Sequence, residues 1–527
     1  MYFRKFKIWV MAILAAVFLL GINTMVQQKL DRMITHEKLV DEASVKGLPP
    51  MVAFTTVALG GFRGLLADLL WLRAGALQED GKYFELVQLA SWITKLQPKF
   101  TGATAYLAWN MAYNISVTFQ SPVDRWRWVQ RGIELIRDEA LNYNANDPIL
   151  YQQLGWIYQH KMGNTLDDAQ RYYKFQIAQE MQKAFGGVPD PDWEALNVAP
   201  RSFIEFRRIH PQPEYWDMIR KAGFKDDDAL NTAFRETGLL PDSLKKVLSP
   251  EKSAELETFL RAIWLRDYYK IRPEIVIELT EKYGKLDWRL SETYAIYWAT
   301  LGNMYSPKRQ SIECDRMISQ SLKESFVGGR MLLPEGKPSM DYILIPNLEL
   351  ADAVRESYLL AAERNDYSSS FKSALDNFMI DAIVTLYSYG REKKAREYFN
   401  IMRKERLPHD KRFLDFDRFV LQQWTEDVKD GSYKQIHELI SGLIFTAALY
   451  IAYDDRPAGE AHLKLAKMAY DRYSLTFKDI DRVKLPPFGT MKREIITMAI
   501  NNYPQLAPRL RGEIQSEAAA EAVPITK

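Results

Sequence analysis

One spacing of large and small residues occurs twice in this chain, and it constrains the fold more than any other feature of the sequence. An aromatic residue is followed by leucine three positions later, glycine four later and tyrosine seven later, at two sites: Trp298, Leu301, Gly302 and Tyr305, and Tyr151, Leu154, Gly155 and Tyr158. On a helix these positions share one face. Large side chains on that face fill a groove between helices, and glycine lets a second backbone approach closely. The spacing therefore predicts pairs of packed helices.

The segment after the more N-terminal signature supplies the second helix of such a pair. Ala169 and Tyr173 stand four residues apart, which is the small-then-aromatic spacing expected of a partner helix. Asp147 and Pro148 begin the pair as a helix cap and a first-turn proline. We therefore predict one complete helical hairpin over residues 147–185.

Two weaker copies precede this hairpin. In the first copy, residues 81–98 form the second helix, with Gly81 at the turn, after a first helix over residues 70–77. The second copy has aromatic residues at the signature spacing: Tyr106, Trp109 and Tyr113. It departs from the pattern at Asn110, where glycine or alanine is expected.

A further copy lies in the C-terminal third of the chain, over residues 378–403. Gly390 stands at its turn, and Ala395 and Phe399 have the small-then-aromatic spacing of a second helix. With the Trp298 signature, five helical pairs are predicted.

Taken together, these motifs resemble the tetratricopeptide repeat family, whose first helix reads W-x-x-L-G-x-x-Y. The resemblance covers residues 64–185 and, in interrupted form, residues 290–500. It implies an all-α fold in which α-α hairpins stack into a solenoid. The spacing is irregular, and residues 186–290 show no clear repeat, so we predict a non-repeat helical insert that either caps one face of the solenoid or covers its groove.

The N-terminal segment predicts a single transmembrane helix. Arg4, Lys5 and Lys7 precede the uncharged run of residues 8–22. A helix over residues 8–26 is about 28 Å long, close to the ~30 Å hydrocarbon core of a bilayer. A cleavable signal peptide is the alternative, but no small-x-small cleavage site follows Gly21.

Orientation follows from the charges around that segment. The basic leader favours a signal anchor with residues 27–527 outside the cytoplasm, on the periplasmic side of a bacterial-type inner membrane. The charge bias is small, because Lys29, Arg32 and Lys38 follow the apolar run.

The predicted organisation has six parts. They are a cytoplasmic leader and transmembrane anchor (1–28), a juxtamembrane spacer (29–50), N-terminal hairpins (51–185), the irregular insert (186–290), a C-terminal helical block (291–510) and a disordered tail (511–527). Residues 328–347 are rich in glycine and proline and predict a surface loop, with a candidate strand at residues 342–345.

Charge and composition argue against several classes of ligand. The net charge of +2 gives no field for nucleic acid. Cys314 is the only cysteine, and the six histidines form no i, i+3 or i, i+4 pair, so no metal site or cofactor is predicted. Gly60 and Gly61 fit neither common phosphate-loop fingerprint, and we predict no nucleotide binding.

Two acidic runs are the remaining candidates for chemistry. Residues 226–228 and 454–455 could place carboxylates together for acid and base work. The structural interpretation is favoured for the first run, because these acids precede an apolar helical segment and suit a helix cap and first turn.

In the tetratricopeptide family, partners bind a concave surface lined by the first helix of each hairpin, next to the packing positions. Carried over to this sequence, the resemblance predicts a partner-binding groove at Trp71, Gln78, Glu79, Met111, Asn114, Gln152, Trp156, Gln159, His160 and Asn303. Amide side chains can hold an extended peptide backbone, and tryptophan can anchor it. The alternative is that Trp71 and Trp156 are simply buried.

The predicted function is a membrane-tethered binding scaffold for a protein partner, and not an enzyme. The alternative is an enzyme or enzyme subunit that acts on membrane-proximal envelope polymers through residues 186–290.

Overall fold

The computed structural model describes residues 62–97, 100–163, 167–306, 312–333, 340, 342–405, 415–425, 433–476 and 484–513, with isolated positions between 18 and 32. The predicted anchor and spacer fall largely or wholly outside these residues, and most of the predicted tail does too. None of the helices within the described ranges combines the length and the apolar character needed to cross a bilayer.

The described residues are almost entirely helical, as predicted, and they divide into two compact units. The first unit holds the described residues up to Gln176 together with residues 298–306. The second holds residues 177–297 and the described residues from 312 onward.

The longer helices described up to Gln176 in the first unit follow one another along the chain. They are α1 (Phe62–Glu79), α2 (Tyr83–Leu96), α3 (Thr101–Asn110), α4 (Pro122–Glu134), α5 (Pro148–Trp156) and the first half of α6 (Gln170–Ala184). Three of them run on without a break into a π-helical segment: α3 into Met111–Ile115, α4 into Leu135–Ala140 and α5 into Ile157–Gly163. Such wider turns are rare, and they occur often at functional sites.

Local sequence explains where these helices begin and pair. Gly81 lies at the predicted turn between α1 and α2 with a φ of +70°, a conformation that suits glycine. The Asp147 carboxylate accepts a hydrogen bond from the amide of Ile149, and Pro148 is the first residue of α5, as predicted. The predicted second helix of that hairpin is present as α6.

The second unit begins with the predicted insert, which is helical. Its helices are α7 (Trp193–Val198), α8 (Phe203–Ile209), α9 (Pro213–Lys221), α10 (Asp227–Thr237), α11 (Asp242–Lys245), α12 (Pro250–Ile263), which continues into the π-helical segment Trp264–Tyr268, and α13 (Pro273–Tyr283). Buried Arg261 and half-buried Arg266 link these short helices, because their guanidinium groups donate to backbone carbonyls of residues 184–199 and of Gly238.

Longer helices follow. They are α14 (Ser291–Tyr305, whose part from Trp298 belongs to the first unit), α15 (Ile312–Gly328), α16 (Ala351–Arg364), α17 (Ser369–Ser388), α18 (Glu392–Glu405), α19 (Phe416–Thr425), α20 (Tyr433–Ala452), α21 (Arg456–Thr476) and α22 (Phe488–Asn502). The hairpin predicted at 378–403 corresponds to α17 and α18, with Gly390 at the turn at a φ of +74°. Ala395 and Phe399 are buried, as their spacing predicts.

Two short strands interrupt this helical order. β1 (Arg330–Leu332) and β2 (Ile343–Ile345) pair antiparallel, with Met331 opposite Leu344. The candidate strand is confirmed, but residues 330–332, which lie in the predicted surface loop, form β1. The sequence does not reveal β1, because a three-residue strand carries no alternation to recognise.

Candidate functional site

Aromatic side chains of α1, α3 and α5 form one continuous row in the first unit. We call this set the aromatic row: Trp71, Tyr106, Trp109, Tyr113, His160 and Trp156. Successive ring centroids are 5.5, 5.9, 5.6, 5.7 and 4.6 Å apart in that order. Three separate helices therefore contribute to a single surface feature.

The row is partly open to solvent. Tyr106 is 47% exposed and Trp156 is 37% exposed, and the other four rings are half-buried. Adjoining, partly exposed aromatic rings are unusual on a folded protein and are enriched where proteins bind one another.

The orientation of the rings determines which parts of them a ligand could contact. From Trp109 through Tyr113 and His160 to Trp156, neighbouring ring planes are inclined by only 19°, 36° and 12°. The Trp109–Tyr113 and Trp156–His160 pairs are stacked and the Tyr113–His160 pair is tilted, so one face of each stacked ring is turned towards its neighbour. Ring edges carry partial positive charge.

A chain of amide side chains accompanies the row. Asn114 donates from Nδ2 to Oδ1 of Asn110 at 2.8 Å, and Asn110 donates from Nδ2 to Oε1 of Gln78 at 2.5 Å. Asn110 is completely buried. Asn110, the residue that departs from the repeat pattern, therefore has hydrogen-bond partners for both its donor and its acceptor. These bonds link α3 to α1 and to the π-helical continuation of α3.

One end of the row adjoins a pocket of about 320 Å³ that contains ion pairs. Tyr113 and His160 line this pocket together with two basic and two acidic residues: Arg125, Lys161, Asp167 and Asp168. Asp167 pairs with Lys161 and, at 3.2 Å, with Arg125, and it also accepts from the amide of Ala169 at 2.8 Å. Arg125 further pairs with Asp168.

Burial and charge fix the ionisation of this pocket. Burial alone would raise the pKa of Asp167, but the hydrogen bond from Lys161 and the neighbouring positive charges hold it below its usual value. Burial, assisted by Lys161, lowers the pKa of His160, so the imidazole is neutral at neutral pH. Within the part of the chain that is described, Nδ1 of His160 is buried and has no hydrogen-bond partner.

The groove residues predicted on α5 lie on the open side of that helix. Gln152, Gln159 and His160 are half-buried and Trp156 is exposed. Trp71, Gln78 and Asn303 are also half-buried, and Glu79 and Asn114 are exposed. Trp156 is exposed, whereas Trp71 is half-buried and lies against Tyr106 of the next helical pair.

The second helical pair needs a correction. Met111, predicted to face the groove, is completely buried, whereas Tyr106, Trp109 and Tyr113, at packing positions of the pattern, lie along the open face. The buried face of this helix therefore differs from the one that the signature predicts: Asn110 and Met111 are both buried, and Asn110 donates to Gln78.

The predicted packing residues are buried, with one exception. The buried set comprises Tyr151, Leu154, Gly155, Tyr158, Ala169, Tyr173, Trp298, Leu301 and Gly302, and Tyr305 is half-buried. The Tyr151 ring stacks on Trp298 at 6.1 Å and on Tyr305 at 5.4 Å. The aromatic residues of the two complete signatures therefore pack against each other.

The other residues considered for chemistry have structural surroundings. Asp226 caps α10 by accepting from the amide of Ala229 at 2.7 Å, with Asp227 and Asp228 in the first turn, which confirms the helix-cap interpretation. Burial, and then the charge of Asp315, raises the pKa of the Cys314 thiol to about 12. Across the described ranges, no group of three or more His, Cys, Asp or Glu side chains could hold a metal ion.

Fold and site together define a helical-hairpin protein with a partly exposed aromatic row that ends at an ion-pair pocket. No family model, no curated protein and no solved structure matches the chain.

Proposed function

We propose that this chain is a membrane-tethered, tetratricopeptide-like scaffold that binds an extended segment of a protein partner along the aromatic row. The observation that carries the proposal is the row itself: six rings from three helices, at centroid spacings of 4.6 to 5.9 Å, that stay partly in water. Aromatic anchors of this kind supply most of the binding energy in protein interfaces.

A polypeptide suits this surface better than a polysaccharide does. Sugar rings bind by stacking on open aromatic faces, and in the Trp109–Tyr113 and Trp156–His160 pairs one face of each ring is turned towards its neighbour. The accessible ring edges carry positive potential, which favours the carbonyl oxygens of a peptide backbone. Asn114 is exposed and uses one N–H on Asn110, so the rest of its amide can bond a backbone group.

We favour this function over an enzyme acting on envelope polymers through residues 186–290. Catalysis of that kind needs a pair of carboxylates that face one bond of the substrate, and in the densest acidic run of that segment Asp226 caps a helix and Asp227 pairs with Arg207.

The binding experiment uses the full chain, screened in parallel against a library of unstructured peptides and an array of envelope glycans. For a peptide that binds, Trp156→Ala should weaken binding by about 2 kcal/mol or more, which is roughly 30-fold in Kd. Trp92→Ala is the matched control, because Trp92 lies in the same unit on α2, is 46% exposed and is not part of the row.

The two variants separate the possible outcomes. Loss of binding in Trp156→Ala alone supports the proposal. Equal losses in both variants, or none in either, would show that the peptide binds elsewhere. A glycan ligand with no peptide ligand would favour the enzyme alternative.

The proposed tether is the apolar segment of residues 8–26, which would hold residues 27–527 on the extracytoplasmic side. The full chain should remain in the membrane fraction after alkaline extraction, and a chain lacking residues 8–26 should be released. A mature chain that begins after residue 21 would show instead that the segment is a cleaved signal peptide.

A further inference from the structure

A cavity of about 560 Å³ lies within the second unit, between α17, α20 and α21 and the C-terminal end of α15. Its walls are mainly apolar and include Val327, Val384, Leu439 and Leu443. The volume is within the range of pockets that hold small molecules. None of its residues belongs to the aromatic row, so it is a separate feature of the chain.

A buried histidine presents one unused nitrogen to this cavity. His462 is only 4% exposed, and its Nδ1 lies 2.8 Å from the carbonyl oxygen of Ala458. A carbonyl oxygen can only accept, so Nδ1 carries a proton. Burial lowers the pKa of His462, so the ring is neutral and Nε2 is an acceptor. Within the described ranges, no protein group donates to that Nε2.

A tyrosine beside the histidine supplies the complementary donor. The hydroxyl of Tyr450 donates to that of Tyr389 at 2.7 Å, which leaves the proton of Tyr389 available for another acceptor. The Tyr389 ring meets the His462 ring edge-on at 4.8 Å, and both residues line the cavity. Two neighbouring residues of the wall therefore carry a hydroxyl proton and an acceptor nitrogen.

Two hydroxyl groups of the wall are already occupied. Ser388 donates to the carbonyl of Val384, and Thr446 donates to the carbonyl of Gly442, each at 2.8 Å. The wall also includes Thr385 and the exposed carboxylate of Glu438. Tyr389 and His462 are the two polar residues of the wall whose rings lie against each other.

A glycine keeps the cavity open. Gly442 lies in the interior of α20, where glycine costs about 1 kcal/mol relative to alanine. Close packing does not require it, because a Cβ atom built there would have no neighbour within 4 Å. Gly442 lines the cavity, so the side chain it lacks would occupy the space that a ligand needs.

We propose that this cavity binds a small, mainly apolar molecule that ends in a hydroxyl group. The hydroxyl donates to Nε2 of His462 and accepts from Tyr389, while the carbon chain lies against the valine and leucine side chains. A carboxylate could not donate to Nε2, and an ammonium group could not accept from Tyr389.

The full-length protein, with ¹⁵N-labelled histidines, is titrated with three probes. The probes are 1-hexanol, hexanoate and hexylammonium, which share the same six-carbon chain. Hexanol should shift the Nε2 resonance of His462, which is assigned by its loss in His462→Asn. Hexanoate should bind at least ten-fold more weakly, because it cannot donate to Nε2 and meets the carboxylate of Glu438 in the wall. Hexylammonium can pair with Glu438 but cannot accept from Tyr389, and it should also bind more weakly than hexanol. No shift with hexanol up to its solubility limit, or equal binding of all three probes, would overturn the proposal.

Variants test the geometry independently of the wild-type titration. Gly442→Leu fills the cavity and should abolish hexanol binding, whereas Gly442→Ala should keep most of it. His462→Asn retains a donor near the position of Nδ1 but lacks Nε2, so it should lose hexanol binding. His462→Gln places an acceptor near the position of Nε2, so it should recover part of that binding. Binding by a folded Gly442→Leu that matches the wild type would place hexanol elsewhere and refute the site.

Discussion

The close approach of α3 and α4 at Gly132 gives the sharpest test of how the first unit packs. A Cβ atom at Gly132 would lie 2.6 Å from the carbonyl oxygen of Ala108 and 3.4 Å from the Cβ of Ala112. A methyl group cannot be accommodated there unless one of the two helices moves. We therefore expect Gly132→Ala to destabilise this unit, although alanine is the better helix former.

The magnitude follows from two opposing terms. Replacing glycine by alanine in a helix interior stabilises it by about 1 kcal/mol. Moving the Ala108 carbonyl out to an ordinary contact distance is an overpacking strain that costs about 1 to 3 kcal/mol. Gly75 in α1 is the matched control, because a Cβ there has no neighbour within 4 Å and only the stabilising term applies.

Hydrogen exchange read by mass spectrometry resolves the opening free energy of each helix in the full chain. Amides of α3 and α4 should exchange faster in Gly132→Ala, and those of α1 and α2 more slowly in Gly75→Ala. The two substitutions should differ by about 1 to 3 kcal/mol. Equal stabilisation by both would show that α3 and α4 are not in close contact at Gly132, and would refute the reasoning.

Three further outcomes are expected from polar groups. Asp226→Ala should cost about 1 kcal/mol in urea unfolding, because the amide of Ala229 loses its cap, and an unchanged midpoint would contradict this. Asp167→Asn should cost about 3 to 5 kcal/mol, because Lys161, only 3% exposed, keeps its charge without the carboxylate. The folded-state pKa of Asp167 lies below its unfolded value, so its contribution to stability should be complete above pH ~4 and be lost as the pH falls through the folded-state pKa. Urea midpoints of the wild type and Asp167→Asn, compared from pH 7 to pH 3, should converge.

The hairpin over residues 147–185 could be predicted because every signal for it is local. Asp147 and Pro148 set the start of α5, and the spacing of Tyr151, Leu154 and Gly155 sets its buried face. Such signals depend on the period of a helix and on cap chemistry, both of which are properties of neighbouring residues.

The strand pair and the cavity could not be predicted in this way. β1 and β2 are three residues each and are defined by pairing across a gap in sequence. The residues Tyr389, Gly442 and His462 come from three helices, and each one alone has an ordinary explanation in a helix. Only the tertiary structure places the donor, the acceptor and the open volume together.

The aromatic row shows why spacing predicts a helix but not which face of it is buried. Tyr151 and Tyr158 are buried at signature positions of α5, and Tyr151 is covered by Trp298, far along the chain. Tyr106 and Tyr113 stand at the matching positions of α3 and its continuation but remain partly in water, and Asn110 at the small position is buried, as Gly155 is. We infer that the hydrogen bond from Asn110 to Gln78 sets this difference between the two helices.

Replacing Asn110 by alanine removes the bonds to Gln78 and Asn114, so α3 should turn towards the arrangement of α5 and Tyr106 should become less exposed. Hydroxyl-radical labelling of Tyr106, read by mass spectrometry, measures that exposure, and unchanged labelling would show that Asn110 does not set the rotation.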